Sequence, residues 1–122
     1  MNLATAVVIG LLYGLGTYLV MQRALTRIVI GLALLAHGAN LLLLAAGGRA
    51  GEAPIVEEGT ATTAYADPLP QALALTAIVI TFGVTAFLLA LAYRSWILGS
   101  SDEVEDDVED RRIAQLGHRQ TQ

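Results

Sequence analysis

The sequence has no cysteine and no lysine. The first absence excludes a disulfide framework and a thiolate metal site. The second leaves Arg, at seven positions, as the only strong cation. Two histidines remain, His37 and His118, and these alone form neither a metal cage nor a triad with a nucleophile. Three long stretches also lack Asp, Glu, Lys and Arg. Charge is confined to Arg23 and Arg27, the segment from Arg49 to Asp67, Arg94, and the tail from Asp102 onward. A helix of a soluble protein would show a polar face within each such stretch. The net charge of −4 comes largely from SDEVEDDVED, which carries seven carboxylates. That is the wrong sign for a nucleic-acid surface.

What is present is apolar helix. A hydrocarbon layer about 30 Å thick is crossed by about 20 apolar helical residues, and each of the three stretches is long enough. The reading is an all-α integral membrane protein with one three-helix membrane domain, residues 1–97. Its helices run over about 2–21, 28–46 and 70–96, with a loop at 47–69 and an acidic tail at 98–122, solvated and partly disordered. Within the tail, Val104, Val108 and Ile113 mark one side of a short helix. A signal peptide would need basic residues before the first apolar run. None precedes Leu3, so the segment is expected to stay as the first span. The connector MQRALTR is short enough to fold the second helix back beside the first. Asp67 and Pro68 look like a helix start, an N-cap acceptor followed by proline in the first turn, with Pro70 close behind. Arg23, Arg27, Arg94, Arg111, Arg112 and Arg119 lie at one end of the bundle, whereas the long loop has only Arg49 beside four acids. The excess of Arg puts the N-terminus outside and the C-terminus in the cytoplasm, and Tyr93 and Trp96 suit the inner interface.

The third span is the most distinctive. Between Pro70 and Tyr93 it has no charged residue or His, but it carries Gln71, Thr76, Thr81, Thr85 and Gly83. Ala72, Thr76, Val79, Gly83, Ala86 and Ala90 fall along one seam where another helix can approach closely. The threonines can each donate to a carbonyl four residues back, and Gln71 either lines a polar entrance or reaches the interface. On the first span Gly10 and Gly14 form a G-x-x-x-G pair. Gly31 and Gly38 on the second are further candidates for close packing. The second span also holds His37 and Asn40, three apart and so sharing a face with Ala33, Ala36 and Ala39. Exposure of either to lipid leaves polar groups unsatisfied, so that face is expected to meet another helix or a hydrated cavity. Two readings of His37 stand: a proton-accepting group, or a neutral imidazole holding a helix contact. With no acid, Lys or Arg inside the spans, the chain is not expected to transport ions alone.

The runs RIVIGLALLAHGANLLLL and DPLPQALALTAIVITFGVTAF closely resemble the C subunit of the multisubunit Mrp-type sodium/proton antiporters, a family grouped with the K-subunit-like proteins of NADH-quinone oxidoreductase. The resemblance covers Leu11 to Trp96 and excludes the tail. It implies a non-catalytic, multi-pass subunit of a plasma-membrane complex, without cofactor or metal. Its partners would be the other antiporter subunits, including large many-helix ones that carry the ions, and its role would lie in sodium and pH homeostasis. The alternative is the membrane K subunit of a proton-pumping NADH-quinone oxidoreductase. K subunits typically have a second-span Glu in a pattern like GLExxxNAxNL; laid on GLALLAHGANL, that Glu falls on Ala33 and the Asn on His37. Within the antiporter branch the resemblance puts Gln71, Thr76 and Gly83 in the characteristic motif, and together with His37 and Asn40, singled out by their polarity, these are the candidates for assembly or for a hydrated ion path.

Overall fold

Asn2 opens the first helix. In the computed structural model, which describes residues 2–51, 53, 55, 58–59, 65–105 and 107–120, its side-chain oxygen accepts from the Thr5 amide at 2.8 Å and from the Thr5 hydroxyl at 2.6 Å. Helix α1 then runs over Leu3–Val20. Met21 closes it, and a three-residue turn leads to α2, Leu25–Ala46. Helix α3 covers Pro68–Gly99 and α4 covers Val108–Gln120. At the start of α3 the Asp67 carboxylate accepts from the Leu69 amide at 3.0 Å, with Pro68 at the first helical position. That proline loses nothing, because a first-turn amide has no partner within the helix. Among the loop residues, Glu52, Pro54 and Glu57 lie outside the described set.

The third helix is longer than the sequence pattern marks, by two residues at its start and three at its end. Arg94 and Trp96 change the polarity of the surface but leave the backbone ladder intact, so the helix runs on to Gly99. There Ser100 turns into the left-handed region (φ 53°) and its amide bonds Trp96 O at 2.7 Å. At about 1.5 Å per residue the 32 residues of α3 span about 48 Å, so one or both ends stand clear of a hydrocarbon layer about 30 Å thick. Three helices, α1, α2 and α3, are long and apolar enough to cross a membrane.

These three form a layer one helix thick. Helix α2 packs on α1 along one side and on α3 along the other, while α1 and α3 make no helix-to-helix contact among the described residues. Small residues set the approach between α1 and α2. A Cβ on Gly31 would lie 2.8 Å from Gly16 O and 2.8 Å from the Val20 amide nitrogen, and one on Gly38 would lie 3.1 Å from the Tyr13 ring. At the Gly16–Gly31 crossing the two backbones therefore touch, as small residues permit where neighbouring tails are as apolar as Leu. The opposite face of α2 meets α3, and Gly47 at its far end sits against Pro70, where a Cβ would come within 2.9 Å.

Little of this layer is enclosed. In α3 only Ala74 and Ala92 are buried, while Phe82 is 76% exposed. The face that α3 turns to α2 consists of Ala74, Ala77, Thr81, Thr85, Leu88 and Ala92, all buried or half-buried. The seam expected from the sequence, Ala72, Thr76, Val79, Gly83, Ala86 and Ala90, is exposed along its whole length. Both stripes carry small residues at steps of three and four, so spacing alone does not distinguish the one used inside the chain from the one left open.

Past Ser100 the chain crosses back to the α1–α2 connector. Leu25 N donates to Asp102 O at 2.7 Å and Val104 N to Arg23 O at 2.8 Å, pairing Ala24 with Glu103 in a short antiparallel bridge. Helix α4 follows, with Glu109 and Asp110 in its first turn, where carboxylates suit the helix dipole. Val108, Ile113 and Leu116 on it are exposed, and among the described residues it packs against none of the other helices.

Candidate functional site

The polar residues of the second span separate in space. Helical periodicity puts Asn40 half a turn from Gly31 and nearly so from Gly38, on the side turned to α3. It is 8% exposed, and its amide nitrogen Nδ2 is buried without a hydrogen-bond partner. Leaving such a donor unmet costs about 1–3 kcal/mol, and each buried orphan calls for a specific explanation, such as an ordered water or a group from another chain. His37, although only three residues away, lies on the open flank of α2 and is exposed, turned out of the layer. The shared face of the sequence reading thus splits: Asn40 is enclosed by the chain itself, and His37 looks out of it.

On α3 the threonines bond their own helix. Thr76 Oγ1 donates to Ala72 O at 3.0 Å, and Thr81 Oγ1 to Ala77 O at 2.7 Å. With their protons so engaged, both hydroxyl oxygens keep only acceptor capacity. Thr81 is half-buried on the α2 side, whereas Thr76 is exposed on the open seam with Gly83, where an added Cβ would meet nothing within 4 Å. Gly10 and Gly14 likewise point into open space, whereas Gly31 and Gly38 are packed against α1.

Gln71 stands at the loop end of the layer. It lines a crevice of about 340 Å³ with Thr5, Leu44, Arg49, Asp67 and Pro70, so all three spans converge around it. The five ion-path or assembly candidates therefore occupy separate places: Gln71 at the loop-end crevice, Asn40 between α2 and α3, His37 on the open flank of α2, and Thr76 and Gly83 on the open seam of α3. Two residues at the opposite end, Thr26 and Asp102, were not singled out by sequence reasoning. They are joined by a hydroxyl-to-carboxylate bond of 2.8 Å. No local sequence pattern links positions 76 apart, although Asp102 as an acceptor beside an uncapped helix start is the signal in retrospect.

The fold and these polar groups define a small three-helix membrane subunit with isolated hydrogen-bonding side chains and open flanks, built to be completed by neighbours. The chain belongs to the NADH-ubiquinone/plastoquinone oxidoreductase chain 4L family, whose model matches residues 4–109. The match runs past α3 and through the returning segment, further than the motifs in the spans alone. Among curated proteins the chain is 50% identical over 105 residues to the Na(+)/H(+) antiporter C subunit of Alkalihalophilus pseudofirmus, covering 86% of this chain and 93% of the relative. It is 46% identical over 106 residues to the protein of the same name in Bacillus subtilis, covering 86% and 92%. Among solved structures it resembles a chain of the Mrp complex from Dietzia sp. DQ12-45-1b, with TM-score 0.74, 40% identity, and coverage of 89% of this chain and 82% of that one. A chain of the membrane-bound sulfane sulfur reductase, an archaeal respiratory membrane complex, also matches, with TM-score 0.74, 35% identity, and coverage of 87% and 98%.

Proposed function

We propose that this chain is the non-catalytic C subunit of a hetero-oligomeric sodium/proton antiporter in the plasma membrane, acting with large ion-translocating subunits in sodium and pH homeostasis. The observation that carries this reading is the 50% identity to an antiporter C subunit over 93% of that protein's length. The respiratory alternative is less well supported. The curated relatives are named as antiporter subunits, and Ala33 stands where a K subunit would have Glu.

The proposed orientation has the 47–69 loop outside and the α1–α2 connector in the cytoplasm with the tail. It is supported by the bonds from residues 102 and 104 to residues 23–26, which gather Arg23, Arg27 and Arg94 at one end of the layer, the pattern of a cytoplasmic face. Gln71 then belongs to the outer end, and Asn40 and His37 to the interior of the membrane.

In this reading the protein supports a lateral hydrated path whose carboxylates come from partners. Asn40 Nδ2, enclosed between α2 and α3, supplies a donor to water, His37 faces the space between subunits, and the seam through Thr76 and Gly83 receives a partner helix. Replacing His37 with Leu and, separately, Asn40 with Leu in the complete complex tests this. The expected outcome is normal assembly with a lowered antiport rate. An unchanged rate in an intact complex removes that residue from the path.

A further inference from the structure

Helix α2 begins without a cap of its own. The first four amides of a helix have no partner within it, and a Ser, Thr, Asp or Asn at the N-cap ordinarily accepts from one of them. Here Ala24 occupies the N-cap with extended backbone (φ −81°, ψ 125°), and its methyl side chain has no acceptor to offer. The returning segment meets the need. The amide of Leu25, first in the helix, donates to Asp102 O at 2.7 Å; that of Thr26, the second, donates to Asp102 Oδ1 at 3.2 Å. The Thr26 hydroxyl donates to the same oxygen at 2.8 Å. Both the acceptor type and the amide it serves are those of an N-cap, supplied from 76 residues away.

We propose that Asp102 is the N-cap of α2, delivered by the segment that follows α3, and that residues 101–104 form a clasp holding the exit of α3 to the α1–α2 connector. The clasp has three parts. Ser100, in the left-handed conformation, reverses the chain after α3. Ser101 Oγ accepts from the Glu103 amide at 3.1 Å and shapes the turn. The Ala24–Glu103 bridge then sets its register, so that Asp102 faces the helix start. Because α1 and α3 do not touch among the described residues, this strap ties the third span to the connector independently of side-chain packing between spans. Asp102 is a positioning residue, and the inference rests on contacts within the chain, not on the antiporter reading.

The absence of cysteine makes the geometry directly testable. The bonds flanking Ala24 and Glu103 run from Leu25 to Asp102 and from Val104 to Arg23, so the pair is the non-hydrogen-bonded kind, with α-carbons about 4.5 Å apart. Disulfides accept α-carbon separations of about 4.4 to 6.8 Å. In membranes holding the assembled complex, a chain with Ala24→Cys and Glu103→Cys and a protease site in the 47–69 loop is oxidised mildly and cut. The two fragments are expected to stay joined until reduced, in most molecules, while a control pair, Ala24→Cys with Glu105→Cys, is joined at least several-fold less. Equal joining of both pairs, or none in either while both cysteines react with a maleimide, overturns the clasp. The capping role is read from the unfolding midpoint of the purified complex or, if it does not assemble, from the accumulated chain. Asp102→Ala should lower it, Asp102→Asn should keep most of it because Oδ1 remains, and Ala24→Asp should restore it in the Asp102→Ala background while adding little to the natural chain. Failure of Ala24→Asp to rescue, with Asp102→Asn as damaging as Asp102→Ala, would falsify the cap.

Discussion

At the scale of single residues, the glycines divide by what surrounds them. Gly31→Ala would push a methyl into Gly16 O and the backbone of Val20, and neither can move without its helix. Overpacking of this kind costs about 1–3 kcal/mol, so the expected result is a lower unfolding midpoint and weaker cross-linking between cysteines placed on α1 and α2. Gly83→Leu meets open space within the chain. Its helical content and monomer stability are expected to be unchanged, while recovery of the larger subunits with it falls. Unchanged recovery would show that the seam receives no partner helix. Sequence spacing singled out Gly10 and Gly14 as readily as Gly31 and Gly38, because a small-residue motif states only that a close approach is possible. Which motif is used depends on rotation about the helix axis, and that is set by the neighbour. Asn40 and His37 are a similar case: three residues apart makes them neighbours on one helix, yet a rotation of about 60° is enough to enclose one and turn the other outward.

The elements were more legible than their contacts. Three charge-free stretches give three spans because the bilayer demands length and apolarity, both read directly from composition. The start of α3 was legible for a different reason, since Asp67 and Pro68 act on the backbone itself. Its end was not: Arg94 and Trp96 report where a membrane surface falls, whereas the helix stops only where Ser100 leaves right-handed space. That stop leads to a further test. A left-handed non-glycine residue carries a steric cost that glycine avoids, and glycine is the usual residue just past a helix C-terminus. After glycine's greater freedom in the unfolded chain is allowed for, Ser100→Gly is expected to stabilise the protein by about 0.5–1 kcal/mol. The unfolding midpoint of the complex measures it. A loss of stability instead would mean that the Ser100 side chain contributes more than its backbone costs. The return of residues 101–104 to the connector was illegible, because it depends on the distance between the α1–α2 connector and the exit of α3, which only the packed layer defines.

The architecture of the whole chain limits what it can do alone. A path for ions or protons through hydrocarbon must be lined around its circumference by groups that replace water, and a layer one helix thick encloses no such circumference. Helix α2 touches both neighbours, but among the described residues α1 and α3 never close behind it, and no Asp, Glu, Lys or Arg lies within the charge-free stretches of the spans. The polar groups that do lie there face different ways: Asn40 toward α3, His37 out of the layer and Thr76 onto the open seam. A complete pathway therefore needs walls and charges from other chains. The purified chain in proteoliposomes under an imposed pH gradient is expected to exchange no sodium above the level of protein-free vesicles, and the complete complex to exchange it. Complexes assembled without this chain should lose most of that exchange even where the large subunits are retained, because one wall of the path is gone. Sodium-coupled exchange by the solitary chain would contradict this at its base, since no charge lies in the charge-free stretches of these three helices and the layer they form encloses no path.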